Sequence, residues 1–90
     1  MKTNVTNMLS HNGNKIANQF EIRANDGLYF QSYNSVIAVI RNDGKIELDE
    51  HYWDYSQTTG KYRNLFLNET KKETEAKIKQ GVYKLVNLNS

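Results

Sequence analysis

An α+β fold in a single small domain follows from three features of this 90-residue chain. Two Asn-Asp-Gly triplets separate short apolar or alternating runs, the hydrophobic period changes to a helical one after residue 55, and a capping signature opens a second helical segment near residue 70. The expected order is β-β-β-β-α-α-β, an antiparallel sheet of four to five strands with two short helices packed on one face. A chain of this length supports one modest core, because two cores would each bury too little apolar surface to offset their ordering entropy.

Asn25-Asp26-Gly27 and Asn42-Asp43-Gly44 are hairpin turns, since Asn and Asp tolerate positive φ and Gly adopts it freely. Around them the first strand is expected at residues 16 to 24, with Phe20 and Ile22 on one face and Gln19, Glu21 and Arg23 on the other. The second runs from Leu28 to Tyr33, where Leu28, Phe30 and Ser32 alternate with Tyr29, Gln31 and Tyr33. Val36-Ile37-Ala38-Val39-Ile40 is apolar on both faces and is the core strand. Lys45 to Leu48 alternates again, with Ile46 and Leu48 inward.

Tyr62, Leu65 and Phe66 then fall at i, i+3 and i+4, which predicts a helix from Thr59 to Leu67 capped by Ser56, Thr58 or Thr59. Thr70-Lys71-Lys72-Glu73 matches a capping box, Glu73 with Lys77 and Glu75 with Lys79 have ion-pair spacing, and Gly81 supplies a left-handed stop. The second helix is therefore expected at residues 71 to 80, and a last strand from Val82 to Leu88 at a sheet edge. Domain organisation divides into an N-terminal segment, 1 to 14, and the α+β domain, 15 to 90. The segment reads either as a frayed end or as a short strand or helical turn anchored by Val5 and Met8-Leu9.

The chain has no cysteine, so neither disulfides nor thiolate metal sites are available to it. Met1 to Ser10 has no apolar stretch of signal-peptide length, and the expected location is the cytoplasm of a bacterial host cell. Twelve asparagines and no proline suit an AT-rich coding sequence and carry no functional weight. Net charge is +2, but residues 41 to 55 hold two basic against five acidic side chains, and residues 56 to 90 seven basic against three acidic.

Neither histidine, His11 or His51, has a helical metal-pair spacing, and Asp49, Glu50, His51 and Asp54 read as a solvated acidic turn. No metal or cofactor is expected. Nucleophilic catalysis lacks a thiol, a Gly-x-Ser-x-Gly elbow and a matched serine and histidine, so no catalytic residue is assigned. Thr58-Thr59-Gly60-Lys61 lacks the order and the second glycine of a phosphate loop.

One stretch is dense in aromatic and basic side chains: Tyr52, Trp53, Tyr55, Lys61, Tyr62 and Arg63. It admits three explanations. The aromatics close one end of the core; or they stack on bases while lysines contact phosphate; or they form a protein-binding hot spot, for which Tyr, Trp and Arg are the favoured residues. Asp49, Glu50 and Asp54 beside them would repel a phosphate backbone, which favours a protein partner.

Tyr29-Phe30-Gln31-Ser32-Tyr33-Asn34-Ser35, Trp53-Asp54-Tyr55-Ser56 and the run from Thr58 to Leu67 resemble small proteins of bacteriophages and mobile elements in low-GC hosts, over residues 18 to 86. The resemblance implies an origin and brings no catalytic residue. It also implies a non-enzymatic module that binds a host or viral protein, such as an inhibitor of a restriction or CRISPR nuclease. The second reading is a single-stranded nucleic-acid-binding accessory protein. A third is a subunit, monomer or weak dimer, that self-associates through the exposed sheet edge.

Overall fold

The computed structural model describes residues 3–89 and is an α+β domain: a six-stranded sheet with two helices on one face. The strands are β1 (Asn4–Leu9), β2 (Lys15–Ala24), β3 (Gly27–Ser32), β4 (Ser35–Arg41), β5 (Ile46–Asp49) and β6 (Lys84–Val86), and they lie in the sheet in chain order. The helices α1 (Gln57–Leu67) and α2 (Lys71–Lys79) join β5 to β6. Neighbouring strands are antiparallel from β1 to β5, as the short turns require. The helix pair carries the chain back along the sheet, so β6 runs parallel to β5.

The sheet thus has one strand more than the upper expectation. The extra strand is β1, which pairs along β2 from Asn4 with Arg23 to Leu9 with Lys15 and buries Met8, so the N-terminal segment joins the sheet. The last strand is shorter than expected, three residues in place of the span from Val82 to Leu88.

Both Asn-Asp-Gly triplets make hairpins, but they use glycine differently. Ala24 pairs directly with Gly27, so Asn25-Asp26 is a two-residue turn and Gly27 already belongs to β3. A Cβ there would lie 2.5 Å from the Ile40 carbonyl oxygen, so close strand approach requires the glycine. Gly44 instead supplies positive φ, +89°, inside its turn.

Register decides which face the helices cover. Phe30 pairs with Glu21 on one side and Ala38 on the other, Ala38 pairs with Leu48, and the Phe30 ring stacks on Phe66 of α1 at 5.5 Å. Phe30, Ala38 and Leu48 therefore face the helices, and Met8, Ile37 and Tyr83 complete the buried core on that side. Phe20 and Ile22 share a face as expected, but it is the open one. Ile22 pairs with Tyr29, which pairs with Val39. Val39 is nevertheless fully buried, between Tyr29 and Glu47. Arg41 donates to Glu47, Asp26 and the Tyr29 hydroxyl, and its guanidinium lies over the Tyr29 ring.

α1 begins two residues before its expected start because Ser56 is the cap, accepting from the Thr59 amide at 3.1 Å. It ends at Asn68 with a left-handed φ of 57°. α2 has the expected capping box between Thr70 and Glu73. The expected Glu73–Lys77 ion pair gives way to another. Glu73 is held by the Thr70 amide, and Lys77 turns to Glu69 at 2.6 Å. Glu69, in the link between the helices, also accepts from the Thr74 and Tyr83 hydroxyls, so one carboxylate joins α2 to the approach of β6. No described helix is long and apolar enough to cross a membrane.

Candidate functional site

The aromatic stretch follows β5, and its shape is set by Asp49. This side chain is buried; its carboxylate accepts from the amides of His51 and Tyr52 at 3.0 and 2.9 Å and from the amide of Leu88 at 2.8 Å, while its carbonyl accepts from Trp53. Burial alone would raise the Asp49 carboxyl, but these amides and the Asn89 side chain outweigh it and hold it below the ordinary carboxylate range. Asp49 is consequently not part of a solvated acidic turn: it organises that turn from inside. Among the described residues, no three His, Asp or Glu side chains stand where they could share a metal ion.

Arg63 fixes the other end of the stretch. It is 1% exposed, donates to the Trp53 carbonyl at 2.7 Å, to Asp54 at 3.1 Å and to the Asn64 side chain at 3.0 Å, and lies over the Trp53 ring. Lys71 pairs with the other Asp54 oxygen at 2.8 Å. Burial opposes ionisation of Asp54, but bonds to Lys71 and Arg63 prevail and lower its carboxyl. Asp54 is therefore balanced by two cations, Arg63 and Lys71, whereas Asp49 stays ionised but is turned inward onto backbone amides.

The six residues singled out in the sequence separate in space. Tyr52 and Tyr55 come together, their ring centroids 5.4 Å apart, and Tyr55 is 69% exposed. Trp53 packs half-buried against the core beside α2, Tyr62 packs against the Met8–Phe30–Ile37 cluster, and Arg63 is internal. Lys61 is exposed on the outer side of α1, its amine over the Tyr62 ring at 5.3 Å.

Tyr52 and Tyr55 face a part of the chain that the aromatic pattern did not include, the tip of the β3–β4 hairpin. Ser32 pairs with Ser35 there and leaves Tyr33-Asn34 as the turn. Tyr33 is 53% exposed with φ 56°, a conformation costly for a bulky side chain. Its amide donates to the Asn18 carbonyl at 2.7 Å, and its carbonyl accepts from the Gln31 side chain at 2.8 Å. The Asn89 side chain bonds both the amide and the carbonyl of Val36. The signal in the sequence is a tyrosine inside a Ser-Tyr-Asn-Ser turn, where the core has no use for it.

Between hairpin and turn lies a cleft of about 280 Å³, lined by Ser32, Tyr33, Asn34, Ser35, Ile37, Tyr52, Tyr55, Ser56 and Thr59. The lining has three tyrosines, four aliphatic hydroxyls and an amide, and no charged side chain. Thr59 and Ser32 share a hydrogen bond at 3.2 Å across its floor, tying the start of α1 to β3. Such a surface offers aromatic area and adaptable hydrogen bonds at low desolvation cost.

A family model described as a family of unknown function, DUF8033, matches residues 3–82. No curated protein and no solved structure matches the chain.

Proposed function

The chain belongs to the DUF8033 family, whose description assigns no activity, and we propose that it is a non-enzymatic module that binds another protein through the Tyr33–Tyr52–Tyr55 cleft. The observation that carries this reading is the composition of that cleft: exposed Tyr33 and Tyr55, with Tyr52 half-buried between them and the Met8–Phe30–Ile37 core cluster, around an uncharged, hydrogen-bonding floor beside a strained hairpin turn. Tyrosines of this kind supply contact area at small entropic cost and are enriched among interface hot spots. Lys61 contributes from the outer side of α1, and Trp53, Tyr62 and Arg63 support the surface from beneath. The resemblance of the sequence to small bacteriophage proteins supports a host or viral protein as the partner, a defence nuclease among them.

Affinity capture from nuclease-treated extract of cells carrying the gene is expected to recover a protein with the native chain and to lose it with Tyr33→Ala plus Tyr55→Ala. Recovery that depends on intact nucleic acid would contradict the reading.

One observation favours single-stranded nucleic acid as a second reading: Asp54 beside the aromatics is balanced by Arg63 and Lys71. Against it, no charged side chain lines the cleft, and Arg63, Lys71 and Lys77 are engaged in ion pairs within the protein. Nucleic-acid binding would show as affinity for a labelled oligonucleotide that falls steeply with salt.

A further inference from the structure

We infer that β1 is a self-complementary edge through which two copies of this chain pair, antiparallel about a two-fold axis at Asn7, into one continuous sheet. The sheet order leaves two edges. β6 is three residues long and carries Lys84, features that discourage further pairing. β1 is six residues long, Asn-Val-Thr-Asn-Met-Leu, with no charge and no proline, and no described residue pairs with its outer side. Nor does a bulge blunt it. Between the pairs Asn7–Phe20 and Leu9–Lys15, β1 advances two residues while β2 advances five, so the irregularity projects from β2 and β1 stays extended.

Val5 and Leu9 on this edge are each 59% exposed, and Val5 lies with its partner Ile22 on the open face of the sheet. On the helix side, a groove of about 800 Å³ runs along β1, bordered by Leu65 of α1, 57% exposed, and by Lys15 and Glu21. Residues directly opposite in an antiparallel pair share a face, so a two-fold pairing must match residues of equal parity. With the axis at Asn7, Val5 meets Leu9 of the second copy, Thr6 meets Met8, and Asn7 meets Asn7. This register sets the two exposed apolar residues against each other twice. The charge pattern fits the same occupant: a strand without ionised side chains brings no like charges together when it meets itself, as strands with a single-sign charge would. None of these residues lines the tyrosine cleft, so the pairing leaves that surface free.

The absence of cysteine allows a register-specific test. Opposed Cα atoms in an antiparallel pair are about 4.5 to 5.5 Å apart, within disulfide reach. Val5→Cys and Leu9→Cys should each give little cross-linked dimer alone under mild oxidation, because like positions lie about 13 Å apart along the strand. An equimolar mixture of the two should cross-link readily. In sedimentation the native chain should dimerise with rising concentration, and Val5→Lys should weaken the dimer by roughly tenfold or more, with an unchanged circular dichroism spectrum. Cross-linking no better in the mixture than in the single variants overturns the register. A monomer at every concentration, leaving the edge to an extended peptide of another protein, overturns self-pairing.

Discussion

Arg63 holds the turn after β5 onto α1, its buried guanidinium donating to the Trp53 carbonyl and to the side chains of Asp54 and Asn64. Removing a buried, paired charge strands its partners, so Arg63→Ala is expected to destabilise the fold by about 3 to 5 kcal/mol in urea unfolding. Tyr55, exposed and bound only along one edge by Tyr52, should behave oppositely: alanine there is expected to shift stability by under about 0.5 kcal/mol while weakening partner binding on the order of 2 kcal/mol. The two residues look alike in the sequence, both belonging to an aromatic and basic run. What separates them is direction. Thr59, Arg63 and Phe66 recur at helical spacing and share the inward stripe of α1, a pattern present in the sequence but obscured because arginine is rarely buried. Tyr33 was hidden for a different reason, because its exposure comes from a strained turn that alternation alone reads as strand.

At the scale of elements, buried carboxylates join pieces that hydrophobic pattern cannot connect. Asp49 ties the end of β5 to the aromatic turn and to the segment after β6, and Glu69 ties the helix link to α2 and Tyr83. Burial works against the Glu69 carboxylate, but bonds from Lys77, Thr74 and Tyr83 more than compensate and hold its carboxyl below the ordinary carboxylate range, as amide bonds hold that of Asp49. Groups lowered on folding stabilise the native state above their unfolded values and lose that contribution as pH falls through the folded ones. Thermal unfolding is therefore expected to hold steady above about pH 5 and to weaken progressively below pH 4. Glu69→Gln should flatten part of that acid slope and cost about 1 to 3 kcal/mol at neutral pH. The hairpins and the capping box were legible in the sequence because local chemistry determines them. Glu69 was not, since its partners gather only after two helices and a strand have packed.

The whole molecule shows where sequence pattern stops. The meander followed from turn chemistry, yet Phe20 and Ile22, which alternate like a core face, lie on the open side of the sheet. The helices settle on the other side, where Phe30, Ala38 and Leu48 form a continuous apolar row across three strands. That choice, and the return of β6 parallel to β5, place the β3–β4 hairpin beside the aromatic turn and so create the cleft. The claim that this cleft is the protein-binding surface is tested most directly by placing a photo-crosslinking amino acid at position 55, and separately at position 43 in the turn at the far end of β4, and irradiating cells that express each variant. The account predicts a discrete protein adduct from position 55 and none from position 43. Adducts to nucleic acid, or the same protein adducts from both positions, would contradict it.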